Sequence, residues 1–344
     1  MPLTLPHSSR FARRPALSFS LLLTMLLGAA PSLAGDASVT APIGTRNLSP
    51  LYMSMGVPRL QEAFASPTGR WDLDLVTHWA SHAVQEEAQG RFLELDGETR
   101  RYDLRARWQA SQRLKLTINI PYVEHTGGQL DGLIDGWHAF WGLPDGPRDI
   151  QRQDRLNYEY VPGSVLNLSG DASGLGDVEL DAQYTLFSNH SEGKGSALSA
   201  FGLYKFDSGE LDDLTGSGDG ALAVGLRWSR SGCLLGSLTC HAQAGYAQVA
   251  PLPIDESADD DALYGAIGVA WSISQSLALI GQLEAQSAVY EQQPLAASDA
   301  PVWGTLGLRW RVNEHWLVDG SFTEDLAVGA SPDVSFQLGL RWVP

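Results

Sequence analysis

From residue 70 onward the chain repeats one pattern: segments of about ten to fourteen residues in which apolar and polar side chains alternate. The last segment shows it most plainly. Val334, Phe336, Leu338, Leu340 and Trp342 share one parity, and Ser335, Gln337, Gly339 and Arg341 the other. In a strand the two parities are opposite faces, so one face suits lipid and the other a polar interior. Tyr102, Leu104, Ala106 and Trp108 stand in the same way against Arg101, Asp103, Arg105 and Arg107, and Leu114 to Ile120 against Arg113 to Asn119. Twelve such segments occur, at 70–83, 98–110, 113–125, 176–188, 195–207, 218–230, 238–249, 261–273, 276–290, 302–312, 315–326 and 333–343. Their length matches a tilted strand crossing a bilayer, and an even number suits closure. No window beyond residue 35 has the 18 or more apolar residues of a spanning helix. The expected fold is all-β: a closed antiparallel transmembrane β-barrel of about 12 strands over residues 69–344.

Alternation also describes a soluble sandwich, and the segments at 195–207 and 238–249 alternate poorly. Tryptophan placement separates the two folds. Gly-Leu-Arg-Trp ends segments at Trp228, Trp310 and Trp342, with near-copies ending at Trp108 and Trp271. Each closes an even-numbered segment, while Trp71 and Trp316 open odd-numbered ones on the apolar parity. In an up-and-down barrel these seven form one ring, an aromatic girdle at the periplasmic interface. Links after even segments are short and several after odd segments are long, as periplasmic turns and outer loops should be. The longest, residues 126–175, contains an amphipathic piece from Leu130 to Trp141, expected as a short helix over the extracellular barrel mouth. The link from Ala250 to Asp261 is acidic and expected to lie in solvent.

Ahead of the barrel, Arg10, Arg13 and Arg14, an apolar stretch from Ala16 to Ala30 and Ser32-Leu33-Ala34 form a secretory signal peptide, residues 1–34, cleaved after Ala34. Its removal takes three basic and no acidic residues, moving the net charge from −17 to −20. That sign disfavours nucleic acid as a partner. Cys233 and Cys240, an isolated nearby pair in an exported chain, are expected to form a disulfide; two thiols without further ligands make a poor metal site.

The polar parity supplies the candidate lumen residues: Asp72, Asp74, His78, His82, Arg105, Arg107, Asp177, Glu179, Asp181, Arg227, Glu284, Arg309 and Arg341. His78 and His82 with the nearby carboxylates can in principle bind a metal or act as a base, yet polar filling of the lumen is the commoner use of such residues. The arginines can grip an anionic solute, but pairing with the lumen carboxylates is the stronger expectation. No serine-hydrolase elbow is present, so no catalytic residue, metal or cofactor is assigned.

Residues 35–68 hold Pro42, Pro50, Pro58 and Pro67. Proline removes a ladder hydrogen bond, so this stretch is no spanning strand. Leu48 to Leu60 is nevertheless too apolar for a solvated tail. It is expected to enter the periplasmic mouth as a plug, with Arg46 paired to Asp72 or Asp74.

The terminal Gln337-Leu-Gly-Leu-Arg-Trp-Val-Pro344 resembles the carboxy-terminal signal of the outer-membrane assembly machinery, with Pro344 in place of the usual aromatic. Arg46-Asn-Leu-Ser-Pro-Leu51, Pro121-Tyr-Val-Glu-His-Thr-Gly-Gly128, Leu130-Asp-Gly-Leu-Ile-Asp-Gly-Trp-His138 and Gly142-Leu-Pro-Asp-Gly-Pro-Arg148 resemble domain of unknown function 3187, a family of exported proteobacterial proteins. The resemblance implies location and no reaction. Gly174-Leu-Gly-Asp177 and the strand after it are similar to outer-membrane barrels for aromatic-hydrocarbon uptake. Expected surroundings are outer-membrane lipid and lipopolysaccharide. Three functions stay open: a channel for small molecules, a lipid-modifying barrel enzyme, and a structural barrel anchoring partners.

Overall fold

The computed structural model describes residues 38–344 apart from 133, 137–153, 163–165, 192–193, 255–257, 291–294, 296–298 and 328. Fifteen strands follow in order. They are β1 (Trp71–Ala88), β2 (Arg91–Gln109), β3 (Leu114–Thr126), β4 (Asn157–Val161), β5 (Asn167–Leu168), β6 (Ala172–Leu175), β7 (Glu179–Ser191) and β8 (Lys194–Lys205). Then come β9 (Ala221–Ser231), β10 (Leu238–Gln248), β11 (Asp261–Ser272), β12 (Leu277–Gln286), β13 (Val302–Arg311), β14 (Trp316–Asp325) and β15 (Val334–Trp342). Twelve of them, β1 to β3 and β7 to β15, form a closed antiparallel barrel in which each pairs with its neighbour and β15 returns to β1. The closing register runs from Leu73 opposite Trp342 to Ser81 opposite Val334.

The alternation of the sequence is the alternation of the wall. Leu222, Val224 and Leu226 of β9 are exposed on the outside, while Ala221, Ala223 and Arg227 are buried inside. A belt of exposed Leu, Ile and Val surrounds a barrel whose interior carries Arg, Asp, Glu and Gln, the reverse of a soluble protein and the arrangement of a membrane barrel. One end has short links, such as residues 273–276 and 312–315, and the other has long ones, such as 206–220.

At the long-loop end the structure departs from expectation. The first hairpin continues past 83 to a turn at Gln89 and Gly90, both at positive φ as a two-residue hairpin turn requires. Its upper part is tied by Val84, Leu93 and Leu95, which join Tyr158, Tyr160, Leu203, Leu252 and Tyr290 in an apolar cluster closing that end. The short strands β4, β5 and β6 lie within the long link; β4 extends the sheet from the top of β2, and β6 from the top of β3. β12 stops at Gln286 rather than 290, because Val289 and Tyr290 turn into the cluster.

The helix expected over the mouth is a helical turn at 131–136, with Ile134 N–H donating to the Leu130 carbonyl at 2.9 Å. Residues 137–141 lie outside the described residues. Leu130 and Ile134 pack against Trp79, Phe322 and Phe336, which point out of the barrel, so this turn lies on the outer wall and not across the opening. The cause is Glu98, whose outward carboxylate accepts the backbone N–H groups of Gln129 and Leu130 and the indole of Trp79.

Candidate functional site

Residues 38–68 run inside the barrel, and their contacts trace the path. At the short-turn end the Thr40 carbonyl accepts from His241, and those of Ala41 and Pro42 accept from Arg309. Midway, Gln282 clasps Ile43 from both sides, accepting its N–H at 2.6 Å and donating to its carbonyl at 2.9 Å. Asn47 then reaches the Ala330 carbonyl in the link between β14 and β15. A turn at Ser49 to Met53 reverses the chain, with Leu51, Tyr52 and Met55 buried in the apolar cluster. On the way back, Gln243 donates to the Pro58 carbonyl, and Ala63 is held by Ser229, Ser199 and Gln183. Gly69 finally pairs with Gln109 at the foot of β1. Four prolines deny the segment a place in the sheet, so wall side chains satisfy its backbone instead.

Charged contacts fix the middle of this path. Arg46 lies on Glu179 at 2.9 Å, and Arg59 bridges Asp103 and Glu179 at 3.2 Å each. Asp103 also holds Arg101 at 3.0 Å, Asn119 at 2.9 Å and His78 at 3.3 Å. Asp74 gathers Arg107, Arg341 at 3.0 Å and Arg105 at 3.6 Å. The expected partner of Arg46 is therefore wrong. Asp72 and Asp74 are engaged by Arg70 and by three wall arginines near the short-turn end, whereas Arg46 has already climbed to the level of β7's Glu179.

The remaining sequence candidates separate into distinct places. Arg227 pairs with Asp181 at 2.7 Å and stacks on Phe201, and Arg309 meets Asp319 at 3.5 Å. Asp177 sits at the rim, where it holds Lys205 and accepts the N–H groups of Ser208, Gly209 and Ser217. Among the described residues Glu284 has no arginine in ion-pair contact; it accepts from Thr45, Trp303 and the Leu60 N–H. His78 and His82 do not form one site. His82 bonds Thr99, which links on to His125, and no cluster able to hold a metal occurs among the described residues.

Arg59, Arg101 and Lys115 also belong to the interior; strand parity marks Arg101 and Lys115 as inward, whereas Arg59 lies on the inner segment, which has no strand period to read. Under the long loops, burial pushes the Tyr290 hydroxyl well up, with Tyr52 beside it; it stays a donor, toward the Leu252 carbonyl at 3.3 Å. Burial raises Tyr52 likewise, with Asp299 adding to it.

On the outside, Trp71, Trp108, Trp228, Trp271, Trp310, Trp316 and Trp342 all lie near the short-turn end on the lipid parity, and Trp71 stacks on Trp108 at 5.6 Å. Cys233, in the link after β9, forms a disulfide with Cys240 of β10.

The family model for proteins of unknown function DUF3187 matches residues 18–343. No curated protein matches the sequence. Among solved structures, the COG4313 outer-membrane channel from Pseudomonas putida F1 is similar at 15% identity and a TM-score of 0.51, over 82% of this chain and 97% of that one. The KdgM porin in complex with oligogalacturonate overlaps at 8% identity and 0.42, over 79% and 98%. The Pseudomonas putida toluene transporter TodX does so at 11% and 0.34, over 87% and 98%. At 15% identity the likeness to the COG4313 channel is one of fold.

Proposed function

Because the chain belongs to the DUF3187 family, whose description assigns no activity, its role must be read from its own barrel, and we propose an outer-membrane channel for small molecules that residues 38–68 hold closed. The observation that carries this reading is how the inner segment is attached. It forms no strand of the wall, and on either side of its turn in the apolar cluster it is held by ion pairs and side-chain hydrogen bonds to a polar lumen. Such surfaces can separate and hydrate, whereas an apolar core cannot. The Pseudomonas putida F1 neighbour named as an outer-membrane channel supports the same class. In this reading the signal peptide is cleaved after Ala34, the short-turn end faces the periplasm, the tryptophan ring sits at that interface, and the interior charges line the solute path.

Deleting residues 37–66 tests it. In planar bilayers the full chain should stay mostly closed and the deletion should give a steady open conductance. Unchanged conductance in a correctly assembled deletion overturns the plug, and silence in both overturns the channel.

A further inference from the structure

The lumen carries an excess of positive charge. In the connected network, Arg46, Arg59, Arg101, Arg105, Arg107 and Arg341 share only Asp74, Asp103 and Glu179 among the described residues. Beyond it, Asp72, Asp319 and Glu62 lie around Arg341, and the first two are already paired with Arg70 and Arg309. Buried cations need compensation, because an unpaired charge out of water is costly.

The excess is concentrated around a cavity of about 30 Å³ between the inner segment and the wall, lined by Arg105, Arg107, Lys115 and Arg341. Two of these are poorly served. Arg105 finds Asp74 and Asp103 only at 3.6 and 3.9 Å, and its Nη2 has no hydrogen-bond partner. Lys115, fully enclosed, reaches only the Glu62 carbonyl, at 3.4 Å, among the described residues. Two carboxylates also line the cavity: Asp72, which is taken by Arg70 at 2.9 Å, and Glu62. A water needs roughly 10–15 Å³ of such space, so the cavity has room for a halide or a carboxylate group. It is also reachable. A vestibule of about 620 Å³ at the short-turn end shares Glu62, Ser66, Asp72 and Arg341 with it.

We propose that this cavity binds one small anion, chloride or the carboxylate of a small acid, between Arg105, Lys115 and Arg341. The anion neutralises the excess charge and pins the returning limb of the inner segment, residues 60–62, to the wall. Neither step requires that the barrel conduct.

The test is ³⁵Cl line broadening on the purified full-length mature protein in detergent, with Lys115→Met and Arg105→Gln as variants and formate as competitor. Saturable broadening should appear, and either variant should weaken it by about tenfold or more, a loss of ~1.4 kcal/mol. Displacement by formate extends the site to carboxylates; persistence against formate restricts it to halides. The proposal is overturned if the folded protein broadens the line no more than the denatured one, or if both variants bind chloride as the native chain does. Should the variants fail to assemble, the native chain's melting temperature decides: it should be higher in sodium chloride than in sodium isethionate, which carries no carboxylate, at equal ionic strength, and equality refutes the site.

Discussion

The Nη2 atom of Arg46 donates to both carboxylate oxygens of Glu179, at 2.9 and 3.0 Å, and both side chains are buried. This contact joins the inner segment to the wall at the first residue of β7, and Glu179 shares it with Arg59. Removing one partner leaves the other charged and unpaired, which typically costs about 3–5 kcal/mol when buried. Arg46→Met should therefore loosen the segment less than Glu179→Gln, which strands Arg46 and leaves Arg59 on Asp103 alone. In bilayer recordings both variants should open more often than the native protein, Glu179→Gln more often of the two. Equal closure in all three would show that the pair does not seat the segment.

The wall was legible because period-two patterning and tryptophan placement are local: Trp108, Trp271 and Trp342 mark strand ends whatever lies inside. The interior was legible only as parity. Arg46 was expected on Asp72 or Asp74, but which strand an inner residue meets depends on the height its own chain has reached, and no spacing encodes that. Glu98 was invisible for another reason. It looks like any polar residue at a strand top, yet it turns outward and binds the loop at Gln129 and Leu130. The extra strands β4 to β6 lay in a link whose short segments carry too few residues to show a period.

The outer face makes a prediction about lipid. Leu306 of β13 is exposed mid-strand between Thr305 and Gly307, which face inward. Leu306→Arg should destabilise the barrel by about 2–4 kcal/mol if that level is the bilayer midplane. Trp310, near the strand's end, should tolerate arginine better. Urea unfolding in lipid vesicles measures both, and equal costs would contradict the depth assignment.

The disulfide closes a link of seven residues' separation. So short a loop contributes on the order of 2–3 kcal/mol at most through chain entropy. Cys240→Ser should lower stability by no more than that and leave conductance unchanged. Free thiols in the unreduced, denatured native protein would mean that the bridge does not form.

The proposed orientation is tested at the link between β8 and β9. Asp212 lies exposed between β8 and β9 at the long-loop end. An epitope inserted after it should be reached by antibody on intact cells. Labelling only after permeabilisation would invert the barrel.

The contact of Leu60 with Gly268 offers the sharpest probe of gating. Gly268 of β11 faces the lumen, and a Cβ there would meet Leu60 Cδ2 at 3.0 Å and Gln282 Cγ at 3.4 Å, with backbone no nearer than 3.7 Å. The obstacle is thus the end of a side chain on the segment itself. Gly307 is a poorer choice, because its Cβ would strike Ile43 at 2.4 Å but also the Gly320 carbonyl of the wall at 2.8 Å. Gly268→Val suits the strand backbone and should push Leu60 away, raising open probability. Leu60→Ala removes the obstructing methyl groups, so the double variant Gly268→Val with Leu60→Ala should close again toward the native level. Residues in contact give coupling of roughly 0.5–3 kcal/mol in such a cycle, against a few tenths for independent sites. A double variant that opens as much as the sum of the two singles would place Leu60 away from the wall and remove this contact from the closing mechanism.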